Sequence, residues 1–240
     1  MSSLALLDKN KHADVHLNPI TDFKHVEFQH MAPVVVHEFP NAAAEFPIVF
    51  IKHENTGEYQ PVVMLGLKSK QNLYAGKSQW PGIYVPAAIT HYPLALVPSQ
   101  EDENKLLVAI VEDSDLVSKE SGQRLFNEDG TESEALAKRK EALVTQFEYT
   151  QITRAFCKTL AELDLFKAQD FTLETNGEKR NITGINMIDE KKLNELSDEQ
   201  FADLRKRGFL GPIFTQLGSM HQMHRLIAKS MEAEKATAEA

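Results

Sequence analysis

The chain is poor in cysteine. One of its 240 residues, Cys157, is a cysteine, so no intrachain disulfide can form and a disulfide-built secreted scaffold is excluded. Long hydrophobic runs are missing as well; each apolar stretch is only a few residues, against the roughly 20 needed to span a bilayer. The opening MSSLALLDKNKHAD has no basic start and no extended apolar core, so it does not read as a signal peptide. The expected address is a reducing cytoplasm, without membrane insertion. Among 11 glycines there is no G-x-G-x-x-G, no G-x-x-x-x-G-K-[ST] and no G-x-S-x-G, which removes the phosphate-cradling loops and the hydrolase elbow. Positive charge is scarce: 26 Lys and Arg stand against 35 Asp and Glu, for a net charge of −9. The deficit is local, because Ser99–Glu134 holds 11 acids and only Lys105, Lys119 and Arg124 as bases. That surface repels phosphate backbones and anionic lipid, so nucleic acid is not an expected partner. A solvated face is one reading of it, and a docking face for a basic partner is the other.

What is present is ordinary for a globular protein: 42% hydrophobic and 25% charged residues. A chain of this length buries about 70% of its unfolded surface, enough to fold without a metal or a disulfide. No linker separates two parts, so residues 1–230 are expected to form one domain. The Ala- and Glu-rich 231–240 is expected to be a disordered tail.

The first half has the rhythm of strands. PIVFI (Pro47–Ile51) and PVVMLGL (Pro61–Leu67), separated by turn material at Asn55-Thr56-Gly57, predict an antiparallel hairpin. Pro86 and Pro93 bracket a short helix. LALV and LLVAIV (Leu106–Val111) read as two further buried strands. The second half is mostly helical. Ser133 caps a helix carrying Leu136, Leu143, Val144 and Phe147, and Ile152, Phe156, Leu160 and Leu163 form a second stripe. Asn176-Gly177 predicts a tight hairpin turn within FTLETNGEKRNITGINMI. SDEQ (Ser197–Gln200) is a capping box, and Gly208 ends the helix that it starts. A last helix from Gly211 carries Ile213, Leu217, Met220, His224 and Ile227 inward and is expected to project or fray beyond Ile227. The fold class is therefore α+β: an antiparallel sheet in the N-terminal half, helices plus one β-hairpin in the C-terminal half.

Candidate chemistry is sparse. Cys157, between Phe156 and Leu160, has the setting of a buried structural thiol. His221 and His224 stand one helical turn apart, but no carboxylate flanks them and Arg225 adjoins; a packed His224 and an exposed His221 are expected, with no shared ion. LLVAIV ends in EDSD, which sets Asp113 at a strand exit, either as a working carboxylate or as the polar end of a buried strand. The most site-like stretch holds Trp80, Tyr84, His91 and Tyr92 among three stiffening prolines, rings that either line the mouth of a concave surface or plug one end of a sheet. The candidate ligand- or partner-binding residues are Trp80, Tyr84, His91, Tyr92, Glu38 and Asp113. No catalytic residue, metal ligand or cofactor is assigned. The alternative is an enzyme whose site is assembled from His37, Glu38, His91 and Asp113.

Taken in order, EFPNAAAEFPIVFIK, VVMLGLKSKQNLY, a tryptophan with YVPAAITHYPLAL, the strand ending in Glu112-Asp113, SGQRLFNEDG, ITRAFCKTLAELDL, TGINMIDEKKLNELSDEQF and GFLGPIFTQLGSMHQMHRL resemble the bacterial SapC family over about Leu17 to Ile227. The resemblance implies an accessory or binding protein of a bacterial modification or uptake pathway. Members are commonly encoded beside flavin-dependent tryptophan-halogenase-like proteins, cupin-like proteins and TonB-dependent receptors, and the family name comes from a locus linked to a surface layer. The implied partner is a protein, a peptide or a small ligand. No catalytic residues come with the likeness.

Overall fold

A computed structural model describes residues 3–75, 79–99, 102, 105–175 and 178–238. In chain order the strands are β1 (Leu4–Leu6), β2 (His16–Leu17), β3 (Met31–Pro33), β4 (Ile48–Lys52), β5 (Tyr59–Met64), β6 (Leu94–Pro98), β7 (Leu106–Val111), β8 (Val117–Ser118), β9 (Gln123–Arg124), β10 (Phe166–Ala168), β11 (Phe171–Thr175), β12 (Glu178–Ile182) and β13 (Ile185–Ile188). The helices are α1 (Phe39–Ala42), α2 (Ala87–Thr90), α3 (Glu134–Glu162), α4 (Glu190–Asn194), α5 (Asp198–Lys206), α6 (Leu210–Ser219) and α7 (Gln222–Ala238). Every strand pair described is antiparallel, and the class is α+β. The chain falls into two compact units, Met1–Thr21 with Ala87–Glu148, and Asp22–Pro86 with Tyr149–Ala240.

In the first unit LLVAIV becomes β7, the centre of a sheet ordered β1-β7-β6. A smaller sheet sets β2 between β8 and β9. Gly122, at φ 102°, lies so close to β2 that a Cβ would meet the Leu17 carbonyl oxygen at 2.5 Å; only glycine fits there. Ser133 Oγ accepts from Leu136 N (3.1 Å) and so starts α3 as expected. Val15, Leu17, Leu94, Ile110, Leu125, Phe126, Leu136 and Leu143 form the buried core. Val144 and Phe147, expected beside Leu143, are instead exposed.

In the second unit the expected β4–β5 hairpin forms, with Gly57 at φ 71° in its turn. Ile48, Val49 and Phe50 are fully buried. The sheet order is β10-β13-β4-β5-β3, so strands from the C-terminal half join the N-terminal hairpin in one sheet. Asn176 and Gly177, the predicted turn between β11 and β12, lie outside the described residues. The capping box of α5 is present, with Ser197 Oγ accepting from Gln200 N (3.2 Å) and Gln200 Oε1 accepting from Ser197 N (3.0 Å). Gly208 follows α5 at φ 74°.

The predicted last helix is two helices, and its stripe is corrected. A turn at Met220 and His221 separates α6 from α7. The inward residues are Ile213, Gln216, Ser219, Met223, Leu226 and Ser230, whereas His221 and His224 are both exposed. The polar members have a structural task. β4 pairs with β13 through Ile51↔Ile185 and Phe50↔Asn186; continued, that register would set Ile48 opposite Ile188. The Gln216 amide stands between them, accepting from Ile188 N (3.3 Å) and donating to Ile48 O (2.9 Å), while Ser219 Oγ accepts from Ile48 N (3.0 Å). Side chains of α6 thus replace ladder bonds. Beyond Ile227 the chain stays helical, with α7 running to Ala238 and Ser230 buried. Lys229 Nζ sits 4.9 Å over the Tyr74 ring and Glu234 pairs with Lys68 at 2.7 Å, anchoring a face that has little to bury.

Candidate functional site

Glu-Phe-Pro occurs twice, seven residues apart, as Glu38-Phe39-Pro40 and Glu45-Phe46-Pro47. Both phenylalanines are fully buried, and they take both glutamates in with them: Glu38 is 7% and Glu45 1% exposed. A buried carboxylate is costly unless its oxygens are met. Here each meets the loop Trp80–Tyr84. Glu38 Oε2 accepts from Val35 N (2.9 Å), and its Oε1 accepts from Tyr84 OH (2.5 Å). Glu45 Oε2 accepts from Ile83 N (3.2 Å). Arg225 Nη2 lies 2.9 Å from Glu45 Oε1 but off the line of a guanidinium N–H, so this contact is an ion pair and not a hydrogen bond.

The loop is also closed on itself, because Trp80 Nε1 donates to Tyr84 O (2.8 Å). The half-buried indole packs 5.0 Å from the Phe23 ring and stacks on Tyr74 at 5.4 Å. Gly82 makes this closure possible, since a Cβ there would come within 3.0 Å of both Glu45 Cδ and Trp80 Nε1. Burial first, and then the bond and charge of Glu38, push the Tyr84 phenol above its usual range, so it stays a donor well into alkaline pH. At the tip Ile83 is 83% exposed. The loop is held on two sides and presents one aliphatic side chain to solvent.

Of the sequence-picked residues, Trp80, Tyr84 and Glu38 therefore meet in the second unit. His91 and Tyr92 belong to the first unit, half-buried after α2, where His91 N donates to Ala87 O (3.0 Å) and its carbonyl accepts from Leu94 N (2.9 Å). Asp113 is exposed, and its Oδ1 accepts from Ser3 N (2.8 Å), which fastens the start of β1. His37 turns away from its neighbour Glu38 and stacks on Tyr149 at 3.7 Å. Cys157 is buried, and burial pushes its thiol up to about 12, which leaves it protonated and unreactive at neutral pH. Among the described residues no three His, Cys, Asp or Glu side chains are grouped to hold a metal ion, and no helix is long and apolar enough to cross a membrane.

The family model for SapC matches residues 7–226. The chain belongs to the SapC family. No curated protein and no solved structure matches this SapC chain. The family match takes in both glutamates, the whole Trp80–Tyr84 loop and Arg225.

Sequence reasoning missed half of the SapC loop's supports. Glu45, Gly82, Tyr74, Phe23 and Arg225 carry no chemical signature, yet the repeated Glu-Phe-Pro was a usable signal: an acid placed twice beside a core phenylalanine. It also missed a cluster in the first unit, where Glu112 Oε1 accepts from Lys11 Nζ (2.6 Å) and from the buried His12 Nε2 (2.8 Å). His12 Nδ1 lies 2.9 Å from Asp8 N and 3.1 Å from Asp8 O, which fixes the ring with Nε2 on the Glu112 carboxylate. Lys11 first, and His12 second, hold the Glu112 carboxyl below its usual range.

Proposed function

We propose that this SapC chain is a non-catalytic accessory or binding protein, and that it engages a partner protein through the Trp80–Tyr84 loop with Ile83 as the anchor. A single exposed aliphatic residue means little by itself. The observation that carries the reading is the clamp beneath it: two buried glutamates, an indole N–H and a glycine hold the loop in one shape before anything binds. Ordering a loop costs affinity, and a loop already ordered avoids that cost. Trp80, Tyr84 and Glu38 act as positioning residues. The partner supplies an apolar pocket for Ile83, and a carboxylate on its rim suits Arg225, whose side chain is 45% exposed beside Glu45. The cytoplasmic address and the modification or uptake pathway are proposed from composition and from the family likeness.

The test is capture from native bacterial lysate by the immobilised full chain and by Ile83→Asp. At so exposed a position the substitution should leave melting temperature and circular dichroism unchanged. A partner retained by the wild-type chain and released by Ile83→Asp is the expected result. A captured set that Ile83→Asp leaves intact, or no partner under chemical cross-linking, would overturn the reading.

A further inference from the structure

Away from the Trp80–Tyr84 loop, a cavity of about 400 Å³ opens within the second unit between the β4–β5 turn and α3. Such a volume suits a small organic ligand. Tyr59 forms one wall, its ring stacked at 4.0 Å on Phe166, and the buried Cys157 belongs to the lining. Arg154 and Lys158, four residues apart on α3, bring two cations to the opposite side. Lys52, outside the lining, sits 5.3 Å over the Tyr59 ring. These charges are poorly matched by the protein. The Arg154 side chain has no hydrogen-bond or ion-pair partner among the described residues, and Lys158 meets only Glu162, at 3.9 Å. Glu58 is the single carboxylate on the lining. An aromatic side chain, one buried thiol and a guanidinium without a protein partner, around an otherwise solvent-exposed groove, suit a molecule that carries an aromatic ring and is negative at one end. A carboxylate fits the planar fork of a guanidinium through two parallel bonds.

We propose that this cavity binds a small aromatic carboxylate, its ring system against Tyr59 and its carboxylate on Arg154, with Lys158 strengthening the local field. The site is separate from the partner-binding loop, and neither reading depends on the other. The buried thiol takes no chemical part.

The experiment titrates the full chain with 2-naphthoate while following backbone amide signals by NMR. Saturable binding below about 1 mM is expected, with the largest shifts at 56–59 and 154–161. Arg154→Gln, a substitution at an exposed helix position, should weaken binding by about tenfold or more, as expected for the loss of a charge-assisted bond. The neutral 2-naphthol should bind correspondingly more weakly than 2-naphthoate. No saturable shift, shifts centred elsewhere, an unchanged Arg154→Gln affinity, or equal binding of 2-naphthol would each overturn the proposal.

Discussion

At 0% exposure Gln216 has no water to turn to, and both ends of its amide go to strand backbone. Gln216→Leu keeps the volume roughly constant but strands Ile188 N–H and Ile48 C=O inside the unit. A buried polar group left unmet costs about 1–3 kcal/mol. Chemical denaturation should therefore show a loss of about 2–4 kcal/mol, with little change in native circular dichroism. A hydropathy reading places this residue on the wrong side of the helix, because its inward orientation is decided by two strands distant in sequence. Glu38 and Glu45 were hard to read for the same reason: a carboxylate is sent inward only when some other segment supplies the donors. Cys157 was legible, since a thiol flanked by Phe156 at helical spacing has an apolar neighbourhood whatever the rest of the chain does.

Elements whose boundaries are set by local chemistry were legible, and α5 is the clearest. Its start needs only Ser197 and Gln200, and its end only Gly208. Ser197→Ala removes the acceptor for Gln200 N and should lower stability by about 1 kcal/mol in a thermal melt; Ser197→Asp, which can still accept, should recover most of it. The β4–β5 hairpin was legible from two β-branched runs and a glycine turn. By contrast, β1 shows its leucines to solvent and is kept in place by backbone pairing with β7, so its side chains carry no burial signal. The division between α6 and α7 was illegible too. Apolar residues continue across Met220, and the polar inward residues shift the apparent stripe by one position. At the site, the Trp80 and Tyr84 rings could be picked from sequence, whereas the supports that hold them come from other elements.

For the molecule as a whole, the two units carry different kinds of charge burial. The first contains the Lys11–Glu112–His12 cluster, in which the carboxyl is held below its unfolded value. Such a group contributes stability that is present above its unfolded pKa, about 4.3, and is lost as pH falls through the lower, folded value. Urea midpoints measured from pH 7 downward should thus fall more steeply for the wild-type chain than for Glu112→Gln, the two curves converging in acid. A constant offset at every pH would show that the carboxyl is not favoured by folding. The α+β class and the family were readable from the order of segments along the chain. Its grouping into Met1–Thr21 with Ala87–Glu148 and Asp22–Pro86 with Tyr149–Ala240 was not, since a segment's compact unit depends on contacts that no local pattern encodes.

Trp80 is the chain's lone indole, and it lies in the unit that carries the Glu-Phe-Pro repeat, wedged against Phe23 and Tyr74. Its emission is consequently an optical probe of one unit and one loop. Melting of the first unit is dark to tryptophan fluorescence, whereas far-ultraviolet dichroism sees the helices and strands of both. Overlaying the two signals along one denaturant ramp turns an accident of composition into a measure of cooperativity: coincident midpoints mean that the molecule unfolds as one body, and separated midpoints assign the tryptophan-reported step to Asp22–Pro86 with Tyr149–Ala240.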